Sequence, residues 1–181
     1  MKWWTILLLS IFLVGCGTTE LEERSFPMLV VADYENGMKK YKDAFPKEDS
    51  MGKLGAKIRD YNHLKVLVLE EDLLEHPVVF ESMIKELGKS EIFPRNTYIC
   101  VMDDVEDLFE MEKDISQDLG SYVEEFLKAN EEKKGKLPTL GDCIDEQANH
   151  VGDSKLPYLD AEESGLIWQG YVNTFGKMWQ E

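Results

Sequence analysis

The stretch that decides the fold is "HLKVLVLEEDLLEHPVVFESMIKELGKSEIFPRNTYICVMDD", which covers residues 63–104. Residues 63–70 are almost continuously apolar, as in a strand that is buried on both faces. Residues 76–90 carry apolar side chains at helical spacing, with Pro77 in the first turn. Residues 96–104 form a second apolar run. Strand, helix and strand in this order predict a βαβ unit whose two strands are parallel.

Hairpins are predicted on both sides of this unit. Residues 28–32 are apolar and rich in β-formers, and Asn36-Gly37 is the dipeptide most typical of a tight hairpin turn. Residues 165–173 and 176–181 predict a second hairpin near the C-terminus. Between the first hairpin and the βαβ unit, the sequence predicts a loop over 47–55 and one helical turn over 56–61.

Three helices are predicted after the βαβ unit, over residues 104–113, 116–134 and 139–150. The last of these begins with Thr139 and Asp142, which resemble a capping box with Asp in place of Glu or Gln. The predicted fold class is therefore α/β, of the mixed α+β kind. It consists of a small mixed sheet with a βαβ unit, several helices and a terminal β-hairpin.

The first fifteen residues have the pattern of a bacterial lipoprotein signal peptide. Residues 3–15, between Lys2 and Cys16, include no charged residue, and this stretch of thirteen is too short for a comfortable membrane span. This run ends in Leu13-Val14-Gly15-Cys16, a lipobox. Cys16 is therefore predicted to carry a diacylglycerol, whose two acyl chains suffice for stable anchoring. The alternative is an uncleaved signal or membrane anchor with a cysteine there by chance.

The predicted organisation has three parts: a signal peptide over 1–15, a lipidated tether over 16–25 and a single α/β domain over 26–181. The chain contains 36 acidic and 20 basic residues and has a formal net charge of −16. This excess of acid argues against nucleic-acid binding and against docking of the whole body on an anionic lipid surface. The expected membrane contact is made by the lipid on Cys16.

The sequence contains none of the common catalytic motifs, and we expect no enzyme, no cofactor and no metal site. His63, His76 and His150 lack the spacing of metal ligands, so structural roles are expected for them. Cys100 and Cys143 are expected to be buried free thiols, although an extracytoplasmic compartment would permit a disulfide.

Two acidic clusters follow the two strands of the predicted βαβ unit. Their members are Glu70, Glu71 and Asp72 in the first, and Asp103, Asp104, Glu106 and Asp107 in the second. Both should lie at the carboxyl edge of the sheet, where ligands often bind. Solvated helix N-termini are the favoured interpretation, because the helix dipole stabilises carboxylates there. The alternative is a lipid-anchored surface protein that binds a small solute or a cation at these clusters.

The order of segments resembles that of the Ger(x)C family of spore-germination lipoproteins. After the lipobox, six segments carry the resemblance in the family's order: "ELEERSFPMLVVADYENG", "HLKVLVLEEDLLEH", "PRNTYICVMDD", "LGSYVEEFLKAN", "PTLGDCIDE" and "LPYLDAEESGLIWQGYVNTFGKM". They span nearly the whole chain and correspond to the family's N-terminal domain.

The resemblance implies a function and a location. Members of that family are the lipid-anchored C subunits of germinant receptors, on the outer face of the inner spore membrane beside two multi-pass subunits. The resemblance implies that Cys16 is the lipid-modified residue, and it assigns no catalytic residue. Two departures are apparent: the stretch over residues 46–62 is shorter than in the family, and the family continues into further domains. The expectation is therefore a truncated member.

Overall fold

The computed structural model describes residues 24–44, 58–149, 154–173 and 178–179. The predicted signal peptide with Cys16, the predicted loop over 47–55 and His150 lie outside these residues. Within the described residues, no helix is long and apolar enough to cross a membrane.

A seven-stranded mixed sheet forms the centre of the domain. Nine strands are described: β1 Arg24–Ser25, β2 Leu29–Glu35, β3 Met38–Ala44, β4 Ile58–Arg59, β5 Val66–Glu70, β6 Tyr98–Met102, β7 Leu156–Glu162, β8 Gly165–Val172 and β9 Met178–Trp179. The large sheet has the order β3-β2-β5-β6-β7-β8-β9, and β1 pairs with β4 in a separate parallel ribbon. The four central strands β2, β5, β6 and β7 are mutually parallel. The outer pairs are antiparallel.

Five α-helices are described: α1 Glu71–Leu74, α2 Pro77–Lys89, α3 Val105–Met111, α4 Leu119–Lys134 and α5 Leu140–Asn149. The four longer ones confirm the predicted helices to within a few residues. The capping box at the start of α5 is also confirmed. Asp142 Oδ2 accepts a 2.9 Å hydrogen bond from the Thr139 amide, and Thr139 Oγ1 accepts one of 3.3 Å from the Asp142 amide.

Helices cover both faces of the sheet and define two hydrophobic cores. Along β5, Val66 and Val68 point to one core while Leu67 and Leu69 point to the other, as the pleat requires. The first core is completed by α3 and α4, and the second by α1, α2 and α5. This double cover explains why β6 and the first four residues of β5 are apolar. The fold is the predicted mixed α/β class.

The first hairpin is confirmed and its turn is as tight as predicted. Asn36 and Gly37 have φ values of 53° and 81°, the left-handed pair that a two-residue hairpin turn needs. The βαβ unit is confirmed too, since β5 and β6 pair in parallel from Val66↔Tyr98 onwards. Strand β9 pairs with β8, as expected for the second hairpin.

The structure corrects the sequence-based prediction at three places. Residues 58–59 form β4, and the helical turn predicted over 56–61 is instead a 3₁₀ turn over Tyr61–His63. Helix α1 is a single turn directly after β5 that was not predicted. Strand β7 was also not predicted, because Pro157 and Asp160 interrupt its apolar pattern. It is nevertheless the strand that joins the second hairpin to the parallel centre.

Candidate functional site: the acidic edge of the sheet

The two predicted acidic clusters lie at one edge of the sheet, because the parallel strands β2, β5 and β6 all end there. The register pairs Ala32 with Leu69 and Glu70 with Met102. Asp33 directly follows the residues of β2 that pair with β5, so it lies beside Glu70. Asp103 and Asp104 directly follow β6, which is the neighbour of β5 on its other side. We call this group of carboxylates the acidic edge; its members are Asp33, Glu70, Glu71, Asp72, Asp103, Asp104, Glu106 and Asp107.

Glu70 occupies the centre of the acidic edge and is half-buried. Burial raises its pKa, a hydrogen bond with Asp33 raises it further, and the charges of Asp33, Asp72 and Asp104 add to the effect, so that the pKa is about 8. Two carboxyl groups in contact cannot both ionise at low cost. Glu70 therefore keeps its proton at neutral pH and shares a hydrogen bond with Asp33.

A hydrogen bond from the Tyr158 phenol connects the acidic edge to β7. Tyr158 Oη donates a hydrogen bond of 2.8 Å to Glu71 Oε2 at the start of α1. Burial raises the pKa of Tyr158, and the hydrogen bond to the Glu71 carboxylate and the charges of Asp103 and Asp160 raise it further. Tyr158 therefore remains a neutral donor at this edge.

Two members of the second acidic cluster, Asp104 and Glu106, have structural roles. Asp104 is the N-cap of α3 and accepts a 2.8 Å hydrogen bond from the Glu106 amide, as the helix-start interpretation predicts. Glu106 Oε1 lies 3.1 Å from Lys42 Nζ on the neighbouring β3. Lys42 in turn lies 3.7 Å from the centre of the Phe109 ring. Within the described ranges, no three His, Cys, Asp or Glu side chains are arranged to hold a metal ion.

The two described histidines contact aromatic rings. The His63 ring packs edge-on against Phe26 with centroids 5.0 Å apart, and the His76 ring lies 4.6 Å from that of Tyr34. His76 also precedes the first turn of α2 without a side-chain cap. These contacts fit the structural roles expected for both.

The two described cysteines are free and buried, as predicted. Cys100 lies in the first core and Cys143 in the second, so the sheet separates them. Burial raises the pKa of each thiol to about 12. Because the thiolate is the reactive form, neither cysteine is a nucleophile at neutral pH.

A groove of about 800 Å³ runs between α2 and α5. Its floor includes Phe80, Ile84 and the buried Cys143, and its rim carries Glu81 and Lys85. Gln147 Nε2 donates a 2.6 Å hydrogen bond to the Glu81 carbonyl and links the two helices. In the described lining, Ser154 donates a hydrogen bond to Glu146, and the buried Cys143 is hydrogen-bonded to Ser154.

Sequence reasoning found Glu70, Glu71 and the β6 cluster but missed Asp33 and Tyr158. Asp33 follows an apolar run just as Glu70 does. If β2 had been predicted as a parallel neighbour of β5, this pattern would have placed Asp33 at the same sheet edge. Tyr158 had no comparable signal, because β7 itself was not predicted.

The architecture defines the class of the protein: a three-layer α/β domain with a parallel centre, flanking hairpins and an acidic strand-end edge. The family whose model matches is described as the spore germination protein N-terminal domain, and the match covers residues 53–161. It extends over more than half of the 181 residues, from before β4 to within β7. The chain therefore belongs to this family of spore germination proteins.

Two further comparisons gave no match. Neither the curated proteins nor the solved structures include one that is significantly similar to this chain. The family match thus carries the relationship on its own, and it agrees with the resemblance to the Ger(x)C N-terminal domain.

Proposed function

We propose that this protein is a membrane-anchored lipoprotein subunit of a spore germinant receptor. The observation that carries the proposal is the family match over residues 53–161, which includes β5, β6, most of β7 and the helices between them. The proposed location is the outer face of the inner spore membrane, and the proposed partners are the multi-pass subunits of the receptor.

Cys16 is the proposed site of attachment to the membrane. Its support is the sequence: a short uncharged run, then Leu13-Val14-Gly15-Cys16, then a polar acidic stretch. A diacylglycerol on Cys16 would hold the domain by two acyl chains. The attached domain begins within ten residues, since Arg24 already lies in β1.

The proposed role is non-catalytic and depends on contacts with other proteins. Support comes from the buried thiols and from the structural roles of Glu71, Asp104 and Glu106 at the acidic edge. The cation-binding alternative has less support, because Asp104 is used to cap a helix and no three His, Cys, Asp or Glu side chains of the described residues are arranged to hold a metal ion.

The test is genetic. A strain that lacks the protein is complemented with the wild type, with Cys16→Ala or with the matched control Thr18→Ala, which alters the tether but not the lipobox. We expect the wild type and Thr18→Ala to restore germination with small-molecule germinants. Cys16→Ala should leave the protein outside the membrane fraction and restore little or no germination.

Two results would overturn the proposal. A strain that lacks the protein but germinates normally would contradict the proposed role in a germinant receptor. Full membrane retention and full activity of Cys16→Ala would remove the lipid anchor.

A further inference from the structure

The amino and carboxyl ends of the parallel strands differ in charge. No lysine or arginine occurs in residues 66–84, 98–112 or 156–176, which contain the carboxyl ends of β5, β6 and β7 with the turns and helix starts that follow them. By contrast, Lys65 directly precedes β5, Arg95 lies shortly before β6 and Lys155 directly precedes β7. The turns that follow β5, β6 and β7 are thus acidic and free of cations of their own, although Lys40 and Lys42 of β3 reach this side and pair with Glu35 and Glu106.

The chain enters the domain at this opposite end. Arg24 and Ser25 pair with Ile58 and Arg59, and the Asp60 amide donates to the Ser25 carbonyl just before β5 begins. Only seven residues lie between Cys16 and Arg24, and the eight steps of a fully extended chain span at most about 28 Å. A lipid on Cys16 therefore keeps the β1–β4 ribbon near the bilayer.

Two exposed isoleucines lie at the same end. Ile58 is 55% exposed in β4, and Ile92 is 53% exposed in the loop that leads to β6. The two segments adjoin, because the Tyr61 and Phe93 rings stack with centroids 4.8 Å apart. Isolated exposed apolar residues are common, but these lie among arginines, a combination typical of surfaces that rest on phospholipid.

The arginines at this end are held in place by carboxylates. Arg24 Nη1 lies 2.8 Å from Asp60 Oδ2, and Arg59 Nε lies 3.0 Å from Asp43 Oδ2. Arg95 Nη2 lies 2.7 Å from Asp145 Oδ1. Each of these three pairs is neutral, whereas the carboxylates of the acidic edge outnumber the lysines beside it. An anionic bilayer repels the acidic edge and leaves the arginine end as the one that can approach.

We propose that the surface formed by Arg24, Ile58, Arg59, Tyr61, Ile92 and Arg95, the amino-end surface, rests on anionic phospholipid headgroups. The inference depends on the proposed anchor at Cys16, and it adds how the domain is oriented relative to the membrane. The acidic edge points away from the membrane.

The test uses the full acylated protein in vesicles of phosphatidylcholine and phosphatidylglycerol, with a quencher on the lipid headgroups. Single fluorophores are placed through Ile58→Cys, Ile92→Cys or the control Val78→Cys. Val78 is 80% exposed in the first turn of α2, beside the acidic edge. Native Cys100 and Cys143 are buried and should not react. We expect several-fold greater quenching at positions 58 and 92 than at 78, and a smaller difference in vesicles of phosphatidylcholine alone.

The outcomes separate the two proposals. Equal quenching at the three positions in protein that sediments with vesicles would overturn the orientation and leave the anchor. Greater quenching at 78 would also overturn the orientation, because the amino-end surface would then face away from the membrane. Protein that carries no acyl group and does not sediment would overturn the anchor and the orientation together.

Discussion

The Tyr158 phenol in β7 donates a 2.8 Å hydrogen bond to Glu71 at the start of α1, joining residues 87 positions apart in the sequence. The bond crosses from the βαβ unit to the strand that carries the second hairpin. It therefore links the βαβ unit, whose elements are close in sequence, to β7, which joins the sheet by long-range pairing.

Removal of this phenol should weaken the domain. Tyr158→Phe leaves the ring in place and deprives Glu71 of a donor, so we expect a loss of about 1 kcal/mol in the free energy of unfolding. Urea denaturation measures the change. Tyr41→Phe, on a ring that is 45% exposed on the edge strand β3, is the matched control and should change little. Equal effects in the two variants would show that the Tyr158 bond has no special role.

Glu70 should make stability depend on pH. Its pKa is raised from 4.5 in the unfolded chain to about 8 in the folded one. Between these values the folded state binds the extra proton, so the free energy of unfolding falls as pH rises and levels off above 8. Glu70→Gln, which cannot ionise, should be more stable than the wild type above pH 8 and similar to it below pH 4.5.

Thermal unfolding across this pH range tests the prediction for Glu70. Glu75→Gln, an exposed carboxylate at the end of α1, controls for the removal of one charge from an acidic protein. A wild type whose pH profile matches that of Glu70→Gln would contradict the shared proton between Glu70 and Asp33.

Gly120 should not accept a side chain. A Cβ at this position in α4 would lie 2.6 Å from the backbone carbon and oxygen of Met28. Gly120→Ala should therefore be destabilised by about 1–3 kcal/mol, although alanine favours helices more than glycine does. Gly88→Ala is the control, because its Cβ would meet only the side chain of Ile144, at 3.0 Å. Denaturation midpoints should fall clearly for Gly120→Ala and much less for Gly88→Ala; the reverse order would contradict the close approach of α4 to Met28.

The capping box of α5 should contribute at neutral pH and not in acid. Burial alone would raise the pKa of Asp142, but hydrogen bonds with Lys136 and Thr139 outweigh it and lower the pKa. Asp142→Ala should cost about 1 kcal/mol above the unfolded-state value of 3.8, and the cost should disappear as pH falls through the lowered folded value. Asp145→Ala, in an exposed pair with Arg95, is the control and should cost less. A cost that persists in acid would contradict the cap.

The parts of the fold that could be predicted are those whose signal is local. Strands β5 and β6 are buried on both faces, so their apolar runs are unmistakable, and α2 between them has a complete apolar stripe. The hairpin turn at Asn36-Gly37 is specified by two residues. Strand β7 lacks such a signal because long-range pairing with β6 and β8 holds it, despite Pro157 and Asp160.

The candidate site was predictable in part for the same reason. Residues that follow β5 and β6 could be placed at one sheet edge from the sequence, but the proton shared by Glu70 and Asp33 depends on which strand lies beside β5. That neighbour, β2, comes from outside the βαβ unit. The proposed lipid site at Cys16 was read from the sequence alone.

The most direct test of the proposed function is mass spectrometry of this protein isolated, with its partners, from spore membranes. The account predicts a mature chain that begins at Cys16, carries a diacylglycerol there and co-purifies with multi-pass membrane proteins of a germinant receptor. Recovery of unacylated protein from the soluble fraction, without such partners, would contradict it.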